Sequence, residues 1–257
     1  MQITIIPFSK DNYAYLLCCE IKGSTALIDP GSYDAVEAAL KITDNKLDMV
    51  LCTHHHTDHC GGIPFINEAY PNIKVYGHIS GKGKILGLNH PVKDNDSFMI
   101  GNSKCKVLHT PGHTKDSICF LVEDMLFTGD TLFGAGCGRL FEGTGKEMYA
   151  SLSAKIALLN NNTKLYFGHE YTLDNLLFAK SMEPGNRDII DRIIRTEETI
   201  QSSLPNTPAY LSEEKLTNPF LRTNSPELIR SLEEKNISND KDPSMIFTWL
   251  RGLKDNF

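Results

Sequence analysis

The sequence predicts an α/β fold followed by an all-helical C-terminal region, with a boundary near residue 170. Over residues 1–170, short apolar runs separated by polar turns alternate with helical patterns, which is typical of mixed strands and helices. Beyond Tyr171, apolar residues recur at helical spacing and Pro184-Gly185 interrupts them. We therefore expect a first domain over residues 1–170 and a helical domain over residues 171–257.

The individual elements are predicted from apolar runs, turn residues and capping signals. Strands are predicted at residues 2–6, 14–19, 25–29, 49–53, 105–109, 118–122, 126–128 and 164–167. Helices are predicted at residues 33–41, 148–159, 173–181, 188–202 and 226–234, and another is expected to open near Gly61-Gly62. Ser32 is a candidate cap for the first helix, and Thr144 with Glu147 forms a capping-box pattern. No strand is expected beyond Tyr171.

A last helix is predicted at the C-terminus. Asp242-Pro243 has the pattern of an N-cap followed by proline at the first helical position. One apolar stripe at helical spacing follows it, formed by Ile246, Trp249, Leu250 and Leu253. Arg251 and Lys254 are three residues apart, and we expect them to project from the other side of the helix.

Composition and charge exclude several classes of protein. Hydrophobic residues make up 40% of the 257 residues and charged residues 23%, which is ordinary for a globular protein. The net charge of −6 gives no overall field that would attract nucleic acid or an anionic membrane. An anionic substrate would therefore need a local basic pocket. No long exposed apolar stripe demands a partner subunit, so we expect a monomer.

The N-terminus and the cysteines indicate a cytoplasmic protein. Residues 1–10 lack the basic segment and long apolar run of a signal peptide, and no apolar stretch reaches the roughly 18 residues of a membrane span. The seven cysteines are odd in number and form no Cys-x-x-Cys pair, which argues against a disulfide framework or a thiolate zinc site. We expect reduced, mostly buried thiols.

One segment is dense in metal-binding side chains. His54-His55-His56-Thr57-Asp58-His59 contains four imidazoles and a carboxylate, directly after an apolar predicted strand. A protein core could not bury so many polar rings without partners. Zinc and similar metals favour imidazole nitrogen supplemented by carboxylate oxygen. The segment therefore predicts a metal site.

Three later segments repeat this arrangement, because His113, Asp130 and His169 each follow an apolar predicted strand. Sites in sheet-and-helix folds gather at the carboxyl ends of strands. The inventory of potential ligands is therefore His54, His56, Asp58, His59, His113, Asp130 and His169. Seven ligands are too many for one tetrahedral zinc, so we infer two divalent metal ions per chain. Zinc is the metal that we expect, and iron or manganese is also compatible with these donors.

The pattern His54-x-His56-x-Asp58-His59, with the later His113, Asp130 and His169, resembles the metallo-β-lactamase superfamily. That resemblance implies an αββα sandwich over the first 170 residues. It also implies a role for each ligand. His54, His56 and His113 would hold the first metal; Asp58, His59 and His169 the second; Asp130 would bridge them. His55 is not a ligand in that pattern and is expected to support the loop.

Further strings are similar to one branch, the glyoxalase II (hydroxyacylglutathione hydrolase) family. They are Phe127-Thr128-Gly129-Asp130-Thr131-Leu132-Phe133, Gly136-Cys137-Gly138-Arg139, Gly168-His169-Glu170-Tyr171-Thr172 and the terminal Leu250-Arg251-Gly252-Leu253-Lys254-Asp255-Asn256-Phe257. The resemblance implies that Arg139, Arg251 and Lys254 contact the glutathione moiety and that Tyr171 lies beside it. Some family members have tyrosine at the position of Phe141, so recognition here would depend more on Arg139 and Tyr171.

The expected activity is hydrolysis of an S-(2-hydroxyacyl)glutathione thioester, with S-D-lactoylglutathione the substrate that the resemblance implies. Two metals lower the pKa of a shared water, so we expect hydroxide to attack the thioester carbonyl. Asp58 is a metal ligand that could also orient this nucleophile, and Asp29 is a candidate for fixing an imidazole from behind.

Three alternatives stay open at this level. A persulfide dioxygenase would use one iron and leave His59 and His169 without metal work. A secreted β-lactamase is disfavoured by the missing signal peptide. A non-catalytic metal-binding module on the same scaffold would be expected to lose at least one ligand, whereas this chain keeps the whole set.

Overall fold

Two six-stranded sheets form the centre of the fold. The computed structural model describes residues 1–235, 237 and 242–257. The first sheet contains six strands in chain order, β1 (Gln2–Phe8), β2 (Asn12–Cys19), β3 (Ser24–Ile28), β4 (Met49–Leu51), β5 (Lys74–His78) and β6 (His90–Val92). The first three strands pair antiparallel, and β3 to β6 pair parallel.

The second sheet is assembled from later strands and one short strand of the C-terminal region. The strands that follow β6 are β7 (Ser97–Ile100), β8 (Ser103–His109), β9 (Ile118–Val122), β10 (Met125–Gly129), the hairpin β11 (Leu132–Phe133) and β12 (Gly136–Cys137), β13 (Lys164–Phe167) and β14 (Ala209–Tyr210). The order in the sheet is β14-β13-β10-β9-β8-β7, and the β11–β12 hairpin lies outside it. Strand β10 pairs parallel with β13 and antiparallel with β9.

Helices cover both outer faces. The α-helices are α1 (Tyr33–Ile42), α2 (Thr57–Cys60), α3 (Ile63–Ala69), α4 (Gly145–Ser151), α5 (Thr172–Met182), α6 (Arg187–Gln201), α7 (Leu211–Thr217), α8 (Pro226–Glu234) and α9 (Pro243–Asp255). Helices α1 and α3 pack on the first sheet, while α4, α5, α8 and α9 pack on the second. This αββα sandwich with a helical C-terminal region confirms the predicted fold class. No helix within the described ranges combines the length and apolar character that crossing a membrane requires.

The space between the sheets is filled by alternate residues of the strands. On β2, Tyr15 faces the second sheet, where its ring centroid lies 5.4 Å from that of Phe127, while Leu16 faces the outer helices. Phe120 of β9 is fully buried in the same layer. Because successive strand residues point to opposite faces, each sheet contributes one face to this layer and one to a helical layer.

The strand directions bring four loops to one edge. Strands β8 and β10 both pair antiparallel with β9, so they run in the same direction, and β13 is parallel to β10. The carboxyl ends of β8, β10 and β13 therefore lie at one edge of the second sheet. Backbone contacts join this edge to the loop after β4, since the Ile118 N–H donates to the Thr53 carbonyl over 2.8 Å. The predicted convergence of strand ends is thus built into the topology.

Several element predictions were wrong. Strands β5, β6, β7, β11 and β12 were not predicted, because they are short and polar or glycine residues interrupt their apolar pattern. Helix α2 was not predicted either, since it makes a single turn within the histidine-rich segment. The expectation of no strand beyond Tyr171 fails at β14. Its two residues pair with Lys164 and Leu165 of β13, a tertiary contact that leaves no local signal in the sequence.

The helix signals near residue 144 and at the C-terminus were partly right. The Thr144–Glu147 capping box is present, but α4 begins at Gly145 and continues as a π-helical turn over Leu152–Ile156. On α9, Ile246 and Leu250 of the predicted stripe are buried, whereas Trp249 and Leu253 are only half-buried. The buried face also includes Ser244 and Phe247, which were not assigned to it, and Arg251, which was expected on the other side.

We predict that Phe120→Ala lowers the free energy of unfolding by about 3–5 kcal/mol, because it leaves a cavity between the sheets. Urea denaturation followed by circular dichroism measures the effect. Phe65→Ala is the matched control, since Phe65 is 46% exposed and its truncation is expected to cost much less, about 0.5 kcal/mol. Equal losses for the two variants would contradict the inter-sheet core.

Candidate metal centre

Four loops at the shared edge bring together all seven side chains that the sequence singled out. The loop after β4 and the short helix α2 supply four of them, and the loops after β8, β10 and β13 supply one each. Their donor atoms fall into overlapping groups within 4.8 Å of one another: His54, His56 and His113; His54, His59 and Asp130; Asp58, His59 and His169. The structure thus places these seven residues in one constellation.

The first cluster, formed by His54, His56 and His113, has donor spacings suited to one ion. His54 Nε2 and His113 Nε2 each lie 3.0 Å from His56 Nδ1. Ligands about 2.0–2.1 Å from a tetrahedral zinc ion lie about 3.3 Å from one another. Three unprotonated ring nitrogens at this spacing would repel one another without a cation between them. The cluster therefore fits a divalent metal.

The second cluster, formed by Asp58, His59 and His169, lies beside the first. His59 Nε2 and His169 Nε2 are 3.2 Å apart, and Asp58 Oδ2 is 3.7 Å and 3.3 Å from them, respectively. Asn12 Nδ2 donates to Asp58 Oδ2 over 3.2 Å. This set of two nitrogens and one carboxylate oxygen also matches the donor preference of zinc or iron.

Asp130 lies between the clusters. Its Oδ1 is 3.2 Å from His59 Nε2, and its Oδ2 is 3.4 Å from His113 Nε2 and 3.5 Å from His169 Nε2. The carboxylate is buried, and its Oδ1 has no hydrogen-bond partner among the described residues. Leaving a buried carboxylate oxygen unsatisfied is costly, and a cation shared with both clusters would satisfy it.

Asp29 fixes two of the imidazoles from behind. Its Oδ2 lies 2.9 Å from His59 Nδ1 and accepts a 2.6 Å hydrogen bond from Thr53 Oγ1. Since that hydroxyl donates to Asp29, it accepts from His54 Nδ1, which is 3.1 Å away. Both rings then carry their proton on Nδ1 and direct the Nε2 lone pair toward the centre. Asp29 thus makes a contact of the kind expected of it, whereas the contact of Thr53 was not predicted.

Two further outward contacts orient the remaining Nε2 ligands. His113 Nδ1 donates to the Arg139 carbonyl over 2.8 Å, and His169 Nδ1 donates to Asp11 Oδ1 over 2.9 Å. Asp11 was not predicted, because it lies in a turn before β2 and no motif connects it with His169. Fixed tautomers of this kind are typical of metal-binding histidines.

The electrostatics of the centre differ between its two halves. Burial lowers the pKa of His54, His56 and His113, which favours the neutral, ligating form of these imidazoles. Burial acts in the same direction on His169, but the hydrogen bond and charge of Asp130 outweigh it and raise the pKa of His169 to about 10. A metal entering the second cluster therefore has to displace a proton.

A cavity of about 630 Å³ opens over the centre and reaches the C-terminal helix. His56, Asp58, His113, Asp130 and His169 line one end. Arg139, Arg251 and Lys254 line the other end, together with Asp174 and Asp255. A volume of this size is typical of small-molecule sites. The cavity therefore joins the candidate metal centre to a group of cations.

Two aromatic rings flank the metal end of the cavity. Phe141 is 64% exposed, and its ring centroid lies 5.5 Å from that of His56 and 5.2 Å from that of His113. Tyr171 stacks on His169 with centroids 4.9 Å apart and an angle of 2° between the rings. The rings stand beside different clusters, and both line the cavity.

The three cations at the far end are held differently. Arg251 is buried, and its Nη1 donates to the Cys137 carbonyl over 2.6 Å while its Nη2 lies 3.1 Å from Asp255 Oδ1. Arg139 Nε lies 3.7 Å from the same Asp255 oxygen, and Lys254 Nζ donates to a backbone carbonyl over 3.0 Å. The expectation that Arg251 projects away from the packed side of the helix is wrong, because its side chain packs against the β11–β12 hairpin.

Family models match the chain in two adjacent segments. The model of the metallo-beta-lactamase superfamily matches residues 10–169. The model of the hydroxyacylglutathione hydrolase C-terminus matches residues 170–257. The first match contains all seven residues of the constellation, and the second contains Arg251 and Lys254.

Full-length relatives give the same result. A hydroxyacylglutathione hydrolase of Alkalilimnicola ehrlichii is 39% identical over 99% of this chain and 98% of its own length. A cytoplasmic hydroxyacylglutathione hydrolase of Arabidopsis thaliana is 41% identical over 90% of this chain and 92% of its own length. Among solved structures, ETHE1 from Myxococcus xanthus superimposes with a TM-score of 0.69 and 28% identity, covering 99% of this chain and 100% of that chain. The chain therefore belongs to the hydroxyacylglutathione hydrolase family, within the metallo-β-lactamase superfamily.

Proposed function

We propose that this protein hydrolyses S-(2-hydroxyacyl)glutathione thioesters, with S-D-lactoylglutathione converted to glutathione and D-lactate in the detoxification of methylglyoxal. One observation carries the proposal: a single cavity has a metal-ligand constellation at one end and three cations at the other. Glutathione carries two carboxylates as well as its sulfur, so it suits a cavity lined by both metal-binding residues and cations. The name of the full-length relatives supports the same activity.

We assign two divalent ions to the centre, zinc by preference, with iron or manganese accepted by the same donors. His54, His56 and His113 would hold the first ion; Asp58, His59 and His169 would hold the second; Asp130 would bridge them. Ions held there supply an activated water at neutral pH and stabilise negative charge that develops on a carbonyl oxygen.

Asp58 is a proposed metal ligand whose side chain can also reach the reacting atoms. Its side chain is 49% exposed and faces the cavity. Burial raises the pKa of Asp58, but the hydrogen bond from His169 and the charge of His59 outweigh it and hold the pKa well below its ordinary range. A cation bound by these histidines would lower the pKa of Asp58 in the same direction. The carboxylate is therefore ionised at neutral pH and accepts a hydrogen bond from the nucleophile, which orients it toward the thioester carbonyl.

No protein acid is needed for the leaving group. The cysteine thiol of glutathione has an ordinary pKa of about 8.5. Its thiolate is therefore a stable anion that can leave without being protonated first. Phe141 and Tyr171 flank the metal end of the cavity and limit the access of bulk water to the reacting carbonyl.

The far end of the cavity would bind the glutathione moiety. Arg139, Arg251 and Lys254 would supply positive charge for its two carboxylates, and Tyr171 lines the same cavity. Asp255 orients both arginines through one oxygen. We accordingly propose a division near residue 170, with chemistry in residues 1–170 and glutathione recognition in residues 171–257. The meeting point of the two family matches supports it.

The complete second cluster favours this function over a persulfide dioxygenase with one iron. In a mononuclear centre His59 and His169 would not bind the metal, yet their Nε2 atoms lie 3.2 Å apart and face Asp58 and Asp130. Two metals per chain would support the hydrolase, and one iron per chain would support the dioxygenase.

We further propose a cytoplasmic monomer. All seven cysteines are unpaired, which fits a reducing compartment, and one of the relatives is named cytoplasmic.

The metal-replete protein should hydrolyse S-D-lactoylglutathione with a kcat/KM at least about 100-fold above that for the corresponding coenzyme A thioester, because the cationic end fits glutathione. Loss of absorbance at the thioester band measures both reactions. A protein that holds two metals but does not turn over the glutathione thioester would contradict the substrate assignment and leave the metal centre intact.

Replacement of Lys254 by methionine should raise KM for the glutathione thioester about tenfold with kcat nearly unchanged, because a distant carboxylate contact is equally strong in the ground and transition states. Initial-rate kinetics measure both constants. Lys180→Met is the matched control, since Lys180 is an exposed residue of α5 outside the cavity lining. An unchanged KM in Lys254→Met would remove Lys254 from the binding site.

Gly168→Ala should disrupt the centre from the backbone. A Cβ at Gly168 would lie 2.5 Å from Asp130 Oδ1 and 2.7 Å from His59 Cε1, so both side chains would have to move. We expect kcat/KM to fall about 100-fold, with less than two metals retained per chain. Gly252→Ala on α9 is the control, because no heavy atom lies within 4 Å of its added Cβ. Full metal content in Gly168→Ala would contradict the geometry.

A further inference from the structure

His55 is joined to a buried aspartate on a different loop. Its Nδ1 lies 2.7 Å from Asp116 Oδ1, and the Asp116 side chain has no exposed surface. His55 stands between the ligands His54 and His56, and Asp116 follows His113 by three residues. This one hydrogen bond therefore connects the two loops that supply all three donors of the first cluster.

The opposite edge of His55 faces a third loop. His55 Nε2 lies 3.7 Å from Glu142 Oε1, which accepts a 2.7 Å hydrogen bond from Lys84 Nζ. The other carboxylate oxygen of Glu142 accepts from the Lys115 backbone N–H over 2.8 Å. Glu142 is the neighbour of Phe141, so the contact extends from the histidine loop to the wall of the cavity.

A hydrogen-bonded tie explains these groups better than a third metal site. His55, Asp116 and Glu142 do offer three donor atoms within 4.8 Å. However, the 2.7 Å separation of His55 Nδ1 and Asp116 Oδ1 is that of a hydrogen bond, whereas two ligands of one zinc ion lie about 3.3 Å apart. The Lys84 ammonium also already neutralises Glu142.

Asp116 depends on His55 for its burial. Its Oδ2 has no hydrogen-bond partner among the described residues, and a Cβ placed on Gly81 would lie 2.8 Å from that oxygen. Within the part of the chain that the structure describes, the Asp116 side chain hydrogen-bonds to His55 alone. Burial of a carboxylate with one partner is unfavourable, and such an arrangement is more typical of functional sites than of structural ones.

We propose that His55 and Asp116 are positioning residues, which hold the His54–His56 loop and the His113 loop at the spacing that the first metal requires. The inference rests on the proposed function, because it presupposes a metal in the first cluster. Outer hydrogen bonds of metal sites typically contribute 10- to 100-fold in metal affinity. The hydrogen bond between His55 and Asp116 is more remote than these, since neither residue belongs to the proposed ligand set.

A pair of amide substitutions tests the direction of the contact. The amide nitrogen of asparagine occupies the place of an imidazole Nδ1, whereas that of glutamine occupies the place of Nε2. His55→Asn keeps a donor toward Asp116, and His55→Gln directs it toward Glu142. The same comparison on the other side is Asp116→Asn, which keeps an acceptor, against Asp116→Ala, which removes it.

Zinc affinity is measured on each folded full-length variant by competition with a chromophoric chelator. We expect one of the two zinc equivalents to be released at an about tenfold lower chelator concentration in His55→Gln and Asp116→Ala, the low end of the range for outer hydrogen bonds. His55→Asn and Asp116→Asn should remain within about threefold of the unmodified chain for both equivalents. His90→Asn, at an exposed histidine outside the centre, is the matched control and should leave both affinities unchanged.

Two results would overturn the inference. One is release of both zinc equivalents from His55→Gln and Asp116→Ala as in the unmodified chain. The other is a third zinc equivalent in the unmodified chain that Asp116→Ala alone abolishes, which would make the group a metal site. Where an alanine variant does not fold, the His55→Asn and His55→Gln pair decides. Because zinc affinity is the readout, failure of thioester turnover would affect the proposed substrate and not this inference.

Discussion

The fold depends on one constraint, which is that seven polar side chains are collected at a mostly buried edge between two sheets. Imidazoles and an ionised carboxylate cannot be buried together there unless their polar atoms have partners. Asp11, Asp29 and the Arg139 carbonyl supply the outward partners, and Asp130 faces inward with an oxygen that no described residue satisfies. Cations held by these residues would complete the packing as well as the chemistry.

At the far end of the cavity, one residue contributes both to the hydrophobic core and to the cavity wall. Arg251 belongs at once to the core of the helical region, through its stacking on Phe220, and to the cavity wall, through Asp255. Its hydrogen bond to the Cys137 carbonyl fixes α9 against the β11–β12 hairpin. The short strand β14 makes a second connection, because it extends the sheet that carries His169. The two ends of the cavity are thus mechanically joined.

The sequence was informative where function leaves a local pattern. The motif from His54 to His59 and the strand-end positions of His113, Asp130 and His169 identified the whole constellation. Apolar runs predict where the strands end, and sites in sheet-and-helix folds gather at the carboxyl ends of strands. Asp11 and Asp116 gave no such signal, since their partners lie 158 and 61 residues away. The burial of Arg251 also could not be read from helical spacing, because it depends on which surface faces α9.

Arg139, Arg251 and Lys254 are buried to different extents, and this difference bears on how a preference for one thiol carrier, such as glutathione or coenzyme A, would evolve. Any replacement of Arg251 removes a core residue as well as the proposed binding group, so most such changes would be eliminated for instability before their effect on recognition could be selected. Arg139, whose side chain is 64% exposed, carries no such penalty. Divergence toward other carriers is therefore expected to begin at Arg139, with Arg251 retained as an inherited part of the scaffold.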